Sequence, residues 1–222
     1  MSACPESPPW SELAGLRIDE YPWYSGGAKQ RTTAAVCCDA ENLHLIYECE
    51  DRHIWAAPRE SNGPVALDSC VEFFARLPGD ENYFNLEINC CGVVHLGYGP
   101  DRNHRRLCPL PILERVAVET TVEGPAKEEN PEDDGWVLQA RLPFDVIEEF
   151  TGQDAHPEAG QGWRANFYRC GGRTDPQYAS WSPIDVSSPD FHLPQYFGRI
   201  VFGPRVGEKQ RATESVVASG RP

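Results

Sequence analysis

The chain has 222 residues, room for one large domain or two small ones. It carries 34 acidic against 20 basic residues, a formal charge of -14 and a pI near 4.8. A field of that sign repels phosphate backbones and anionic lipid surfaces, so neither nucleic acid nor a membrane is expected as a partner, and no run approaches the ~20 apolar residues of a spanning helix.

The opening stretch MSACPESPPW has neither the basic start nor the apolar run of a secretory leader, which predicts a cytoplasmic protein. From about residue 13 the pattern becomes strand-like. In NLHLIYECED, Leu43, Leu45, Tyr47 and Cys49 fall on one face by period-two alternation. CVEFFAR places Val71, Phe73 and Ala75 together, and YFNLEIN does the same for Phe84, Leu86 and Ile88. ERVAVETTVEG aligns Val116, Val118 and Val122, and WRANFYR aligns Ala165 with Phe167. Turn-forming runs such as SGGAKQ, ESNGP, LPGDEN, GPDRN and CGGRTDP punctuate these segments. The acidic KEENPEDDG reads as a solvated hairpin loop. One segment, LPFDVIEEFTG, reads helical: Pro143 stands early, acids follow, and Gly152 is a stop signal. The predicted fold is all-β, an antiparallel jelly-roll-like β-sandwich with one short helix. It forms a single domain over residues 13–204, and 205–222 is a disordered tail.

Nine cysteines stand at 4, 37, 38, 49, 70, 90, 91, 108 and 170 without a C-x-x-C spacing. They read as buried, reduced thiols acting as small hydrophobes. The adjacent pairs 37–38 and 90–91 are expected on opposite faces of strands.

The outward faces of the strands carry unusual chemistry. Glu72 lies opposite Val71 and Phe73. Asn85, Glu87 and Asn89 lie opposite Phe84, Leu86 and Ile88, and Arg164, Asn166 and Tyr168 lie opposite Ala165 and Phe167. Amides and carboxylates that donate and accept several hydrogen bonds suit sugar hydroxyls, and aromatic planes suit the apolar face of a sugar ring. Such rings are dense in YASWSPIDVSSPDFHLPQYFG, residues 178–198. Trp181, Phe191 and His192 are candidate ligand contacts there, while Phe197 reads as core. The basic cluster GPDRNHRR adds Arg102 and Arg106, suited to a carboxylate-bearing sugar, with His104 and Arg105 in the same loop.

LDSCVEFF, YFNLEINCCG, GWRANFYRCG, YASWSPI and PDFHLPQYFGRIVF, in that order, resemble the carbohydrate-binding module family 9-like proteins over residues 16–203. The resemblance implies a β-sandwich that binds saccharides without breaking bonds. In that family a sugar end is clamped between two tryptophans and held by a glutamate and polar strand residues. Glu72 matches the glutamate, Phe191 matches one clamp position, and Asn85 with Glu87 match the polar pair. The second clamp position falls in SNGPVAL, which has no aromatic. The resemblance also admits a structural calcium, for which Asp39, Glu41, Asp51 and Asp68 are the available acids, although no spaced calcium loop is present. Two alternatives stay open: a glycoside-active enzyme using Glu72 and Glu87, which is the less favoured, and a module whose partner is another protein. No cofactor is required by any motif.

Overall fold

In a computed structural model, residues 8, 10–130, 132–203 and 214–218 are described. The strands are β1 (Leu16–Ile18), β2 (Thr32–Cys38), β3 (Asn42–Glu50), β4 (Cys70–Arg76), β5 (Tyr83–Asn89), β6 (Val94–Gly99) and β7 (Arg106–Leu107). They continue as β8 (Ala117–Thr120), β9 (Gly135–Pro143), β10 (Gly162–Cys170), β11 (Ala179–Ser180), β12 (Gly198–Phe202) and β13 (Glu214–Ala218). Every pairing between them is antiparallel. One sheet runs β2-β3-β9-β8 with β1 alongside β2. The other runs β7-β6-β5-β4-β10-β12 with β11 alongside β10. The fold is a β-sandwich, and no helix among the described residues is long and apolar enough to cross a membrane.

The alternation explains the packing. Leu43, Leu45, Tyr47 and Cys49 of the first sheet meet Val71, Phe73, Ala75, Phe84, Leu86, Ile88, Ala165 and Phe167 of the second in one continuous core. Each large side chain so buried contributes about 1.5–3 kcal/mol. The expected helix is α2 (Phe144–Thr151), closed by Gly152 at φ 77°, whose N–H returns to the Glu148 carbonyl. A second, four-residue helix, α1 (Leu110–Leu113), is not marked by the sequence pattern; Pro109 precedes it and Pro111 stands in its first turn, where a missing N–H costs no helical hydrogen bond. Trp181 is also core: its ring meets Phe167 edge-on at 5.8 Å and leaves no room for a Cβ at Gly198.

Within the tail expected to be disordered, Glu214–Ala218 pairs with both β12 and β2 and joins the two sheets through their edges. The free backbone groups of those two edges give the segment a template that its own sequence does not advertise. Residues 205–213 and 219–222 lie outside the described residues.

One core position breaks the apolar pattern. Arg169 follows Phe167 on the inner face of β10 and is almost fully buried. Its guanidinium meets Asp51 at 2.7 Å and lies over the Trp136 ring at 5.5 Å. Asp51 also accepts from the Ser69 hydroxyl (2.8 Å) and Trp136 Nε1 (3.1 Å). Asp51→Ala would strand the buried guanidinium, and a destabilisation of about 3–5 kcal/mol is expected in urea denaturation. A loss below about 1 kcal/mol would show that Arg169 finds other partners.

Candidate functional site

The second sheet has a polar outer face, and that face is roofed. The segment 181–197 crosses it with Ile184, Phe191 and Phe197, which join Val65, Cys70, Phe74, Tyr83, Tyr168 and Cys170 in a second hydrophobic cluster. Asn166 pins the segment down: its Nδ2 donates to the Ser182 carbonyl (3.1 Å) and its Oδ1 accepts from the Ser182 N–H (2.8 Å). Tyr168 stacks on Phe191 at 4.2 Å and 13°, and its hydroxyl donates to the Phe191 carbonyl. His192 rests on Phe74 (4.9 Å) and shares a 2.8 Å hydrogen bond with the Tyr83 hydroxyl through Nδ1. Burial, with Arg105 and Arg102 nearby, holds its imidazole down to about 3, so it is neutral.

Under this roof lies a cavity of about 280 Å³. Glu72, Glu87 and Cys170 of the sheet form its floor, and Ala66, Leu67, Tyr178, Phe191 and His192 also line it. Arg102 and Arg105 reach it from the β6–β7 loop. Glu72 and Glu87 are direct cross-strand partners, so their side chains rise together from the sheet, and both are under 5 % exposed. Glu87 is compensated: Arg105 donates to its Oε1 at 3.1 Å and Asn85 Nδ2 at 2.8 Å. Glu72 receives only the Cys170 thiol, at 3.0 Å. Burial first, and the neighbouring Glu87 second, push its carboxyl well above the ordinary range. It therefore keeps a proton where an exposed glutamate would be ionised.

Arg105 reaches the floor because β6 carries glycine at alternate positions. A Cβ at Gly97 would meet Asn85 Oδ1 at 2.7 Å and Arg105 Cδ at 3.1 Å, and one at Gly99 would meet the His104 and Arg105 backbone. The two glycines let the following loop lie flat on the sheet. At the mouth, Arg102 pairs with Asp190 at 2.8 Å and both stay partly exposed.

Of the residues predicted from the sequence, Glu72, Glu87, Arg102, Phe191 and His192 come together in the cavity. Asn85 stands behind it, holding Glu87. Asn89 is structural, donating to Asp68 (2.9 Å) and accepting from the Val93 N–H (2.9 Å). Asn166 and Tyr168 anchor the roof, and Trp181 belongs to the core between the sheets. Arg106 points away: it lies over Tyr98 and Phe150 and donates to the Phe150 carbonyl. Adjacent residues on a strand face oppositely, so the choice between Arg105 and Arg106 turned on a register the sequence did not show. Leu67, at 63 % exposure, and Tyr178 were also missed. Leu67 occupies the stretch where an aromatic was sought, and an aliphatic wall leaves no compositional signal.

The acids available to calcium do not form a cation site. Asp39 accepts from the Glu41 and Asn42 N–H groups and binds His44. Asp51 is committed to Arg169, and Asp68 to Arg59 at 2.9 Å. Glu41 is exposed. Carboxylates already engaged by guanidinium groups do not present the free oxygens that calcium needs.

The family model for carbohydrate-binding family 9 matches residues 9–202. The chain belongs to this family. The family 9 chain is similar to a candidate carbohydrate-binding protein from Bacteroides uniformis, with 27% identity, a TM-score of 0.79, and coverage of 88% of this chain and 93% of that one. Two structures of a family 9 module from Caldicellulosiruptor kristjanssonii share the fold. The glucose complex has 15% identity and a TM-score of 0.58, covering 95% of each chain. The cellotriose complex has 14% identity and a TM-score of 0.57, covering 90% of this chain and 88% of that one. No curated protein matches the chain. Membership makes this a non-catalytic carbohydrate-binding protein.

A carboxyl held above its ordinary range favours the folded state below that range and loses this advantage as pH rises toward the raised value. Glu72→Gln, which mimics the protonated acid, should therefore gain thermal stability relative to the natural chain as pH rises above 4.5, the ordinary value. Melting curves from pH 4 to 8 check this, and parallel curves for the two proteins would mean that Glu72 ionises normally.

Proposed function

We propose that this family 9 protein captures a single saccharide ring, or the end of a glycan, in the cavity beneath the 181–197 roof. The observation that carries the reading is the floor: two buried carboxyl groups side by side, one compensated by Arg105 and one not, beneath an aromatic ring. A protonated Glu72 both donates and accepts, as a sugar hydroxyl does, while Glu87 with Arg105 offers an acceptor beside a donor. Phe191, whose back is stacked on Tyr168, presents a fixed ring for the apolar face of the sugar. Leu67 adds an aliphatic lining residue. The volume lies near the lower bound of small-ligand sites, roughly 300–1,000 Å³, which suits one ring better than a continuous chain. The glucose and cellotriose held by the structurally similar modules are the first ligands to try.

Glycoside cleavage is not favoured. A glycosidase places its two carboxyl groups on either side of the scissile bond. Glu72 and Glu87 rise from adjacent strands on the same floor, and one of them already engages Arg105 and Asn85.

The reading is tested by calorimetric titration with glucose, cellotriose and uronic acids. Saturable binding between about micromolar and millimolar Kd is expected. Loss of a hydrogen bond to a charged group costs about 1.5–3 kcal/mol, so Glu87→Gln should weaken binding roughly tenfold or more. Removing a ring contact worth about 0.5–1.5 kcal/mol should make Phe191→Ala weaken it by roughly two- to tenfold. Arg106→Ala, outside the cavity, should bind as the natural chain does. Heatless titrations with folded protein, or an equal loss in Arg106→Ala, would reject this site.

A further inference from the structure

The turn between β5 and β6 has the sequence Asn89-Cys90-Cys91-Gly92. The Gly92 N–H donates to the Asn89 carbonyl at 2.9 Å, which makes the two cysteines the central pair of a β-turn. Gly92 follows at φ 84°. The strand-like alternation expected from the sequence would have sent the two side chains to opposite faces. The turn instead brings the sulfurs to 3.9 Å of each other.

The surroundings hold that arrangement. The Cys90 N–H donates to the Ser69 carbonyl (2.7 Å), and the Thr120 hydroxyl donates to the Cys90 carbonyl (2.6 Å). Asn89 is tied on both sides of its amide, to Asp68 and to the Val93 N–H. The two sulfurs differ sharply in environment. Cys90 is buried in the main core, whereas Cys91 is half-exposed, and every other described cysteine is buried. The contact between the thiols holds Cys91 down to about 7, while that contact and burial hold Cys90 far above its ordinary value. As a thiol, Cys91 donates to the Gly124 carbonyl; as a thiolate it accepts from Cys90. An accessible sulfur with thiolate character beside a second thiol is the arrangement of a reactive pair.

We propose that Cys90 and Cys91 are a redox-active vicinal thiol pair that exchanges with low-molecular-weight disulfides and closes reversibly into an intramolecular disulfide. The Cys91 thiolate attacks one sulfur of the small disulfide, forms a mixed disulfide and expels one small thiolate, which takes up a proton. The Cys90 thiol then gives up its proton, and its sulfur attacks Cys91 Sγ and expels the second small thiol. Two protein thiols are oxidised and one small disulfide is reduced to two thiols. The sulfurs must close from 3.9 Å to about 2.0 Å within a single dipeptide. The resulting ring is strained, and strained disulfides are readily reduced.

The full chain is equilibrated in glutathione buffers from reducing to oxidising, quenched with an alkylating agent, and followed by intact mass and peptide mapping. The expected product has lost two hydrogens, maps to residues 90–91 and is reversed by dithiothreitol. Cys91→Ser should abolish it, and Cys90→Ala should leave a stable glutathione adduct on Cys91. A lasting adduct on Cys91 in the natural chain would overturn the proposal. So would an unreacted Cys91 in the most oxidising buffer, or a disulfide joining Cys91 to another cysteine such as Cys4.

Discussion

Two carboxyl groups, Glu72 and Glu87, have been taken out of water next to each other, and much of the molecule around them answers that constraint. Placed directly opposite on neighbouring strands, they cannot both be ionised at low cost in a site this dry. Arg105 and Asn85 settle Glu87, and a retained proton settles Glu72. The glycines of β6 let Arg105 descend, the 181–197 segment closes the roof, and Asn166 fastens that roof to β10. What remains is a small polar-floored cavity lined by both aromatic and aliphatic side chains.

A second buried charge plays a different part. Arg169 and Asp51 tie the inner face of β10 to the end of β3, and Asp51 also takes the Ser69 hydroxyl. Ser69 lies just after the Ala66–Leu67 wall and just before the strand that carries Glu72. The ion pair between the sheets and the cavity outside them thus meet at one short segment, 65–70. A polar core of this kind holds the segment in position at some expense in stability compared with apolar packing.

The candidate site was partly legible in the residues. Glu72 and Glu87 were legible because strand alternation separates core from outer face and because carboxylates among apolar neighbours stand out, and Phe191 and His192 because rings are dense in 178–198. Asn89, Asn166 and Tyr168 share that chemistry and that face, yet they serve the scaffold. Residue type says that a group can bond a sugar hydroxyl, not whether a backbone has already claimed it. Trp181 went to the core because the pairing of β11 with β10 continues through its N–H to the Phe167 carbonyl and sets its ring against Phe167. Arg105 escaped because adjacent residues of one basic run face opposite ways. Cys90 and Cys91 were assigned to a strand when they sit in its turn.

The sequence by itself determined β3, β4, β5, β8 and β10, the apolar core, α2 and the sandwich class, since period-two alternation and turn residues act locally and need no partner to be read. Only the tertiary structure decided that the outer face of the second sheet would be dry. The roof comes from a segment about a hundred residues further along the chain. The same holds for the Arg105–Glu87 pairing, for β13 between the two sheet edges and for the Cys90–Cys91 approach. Each depends on which distant backbone arrives alongside and in what register, and that is settled by packing rather than by local pattern.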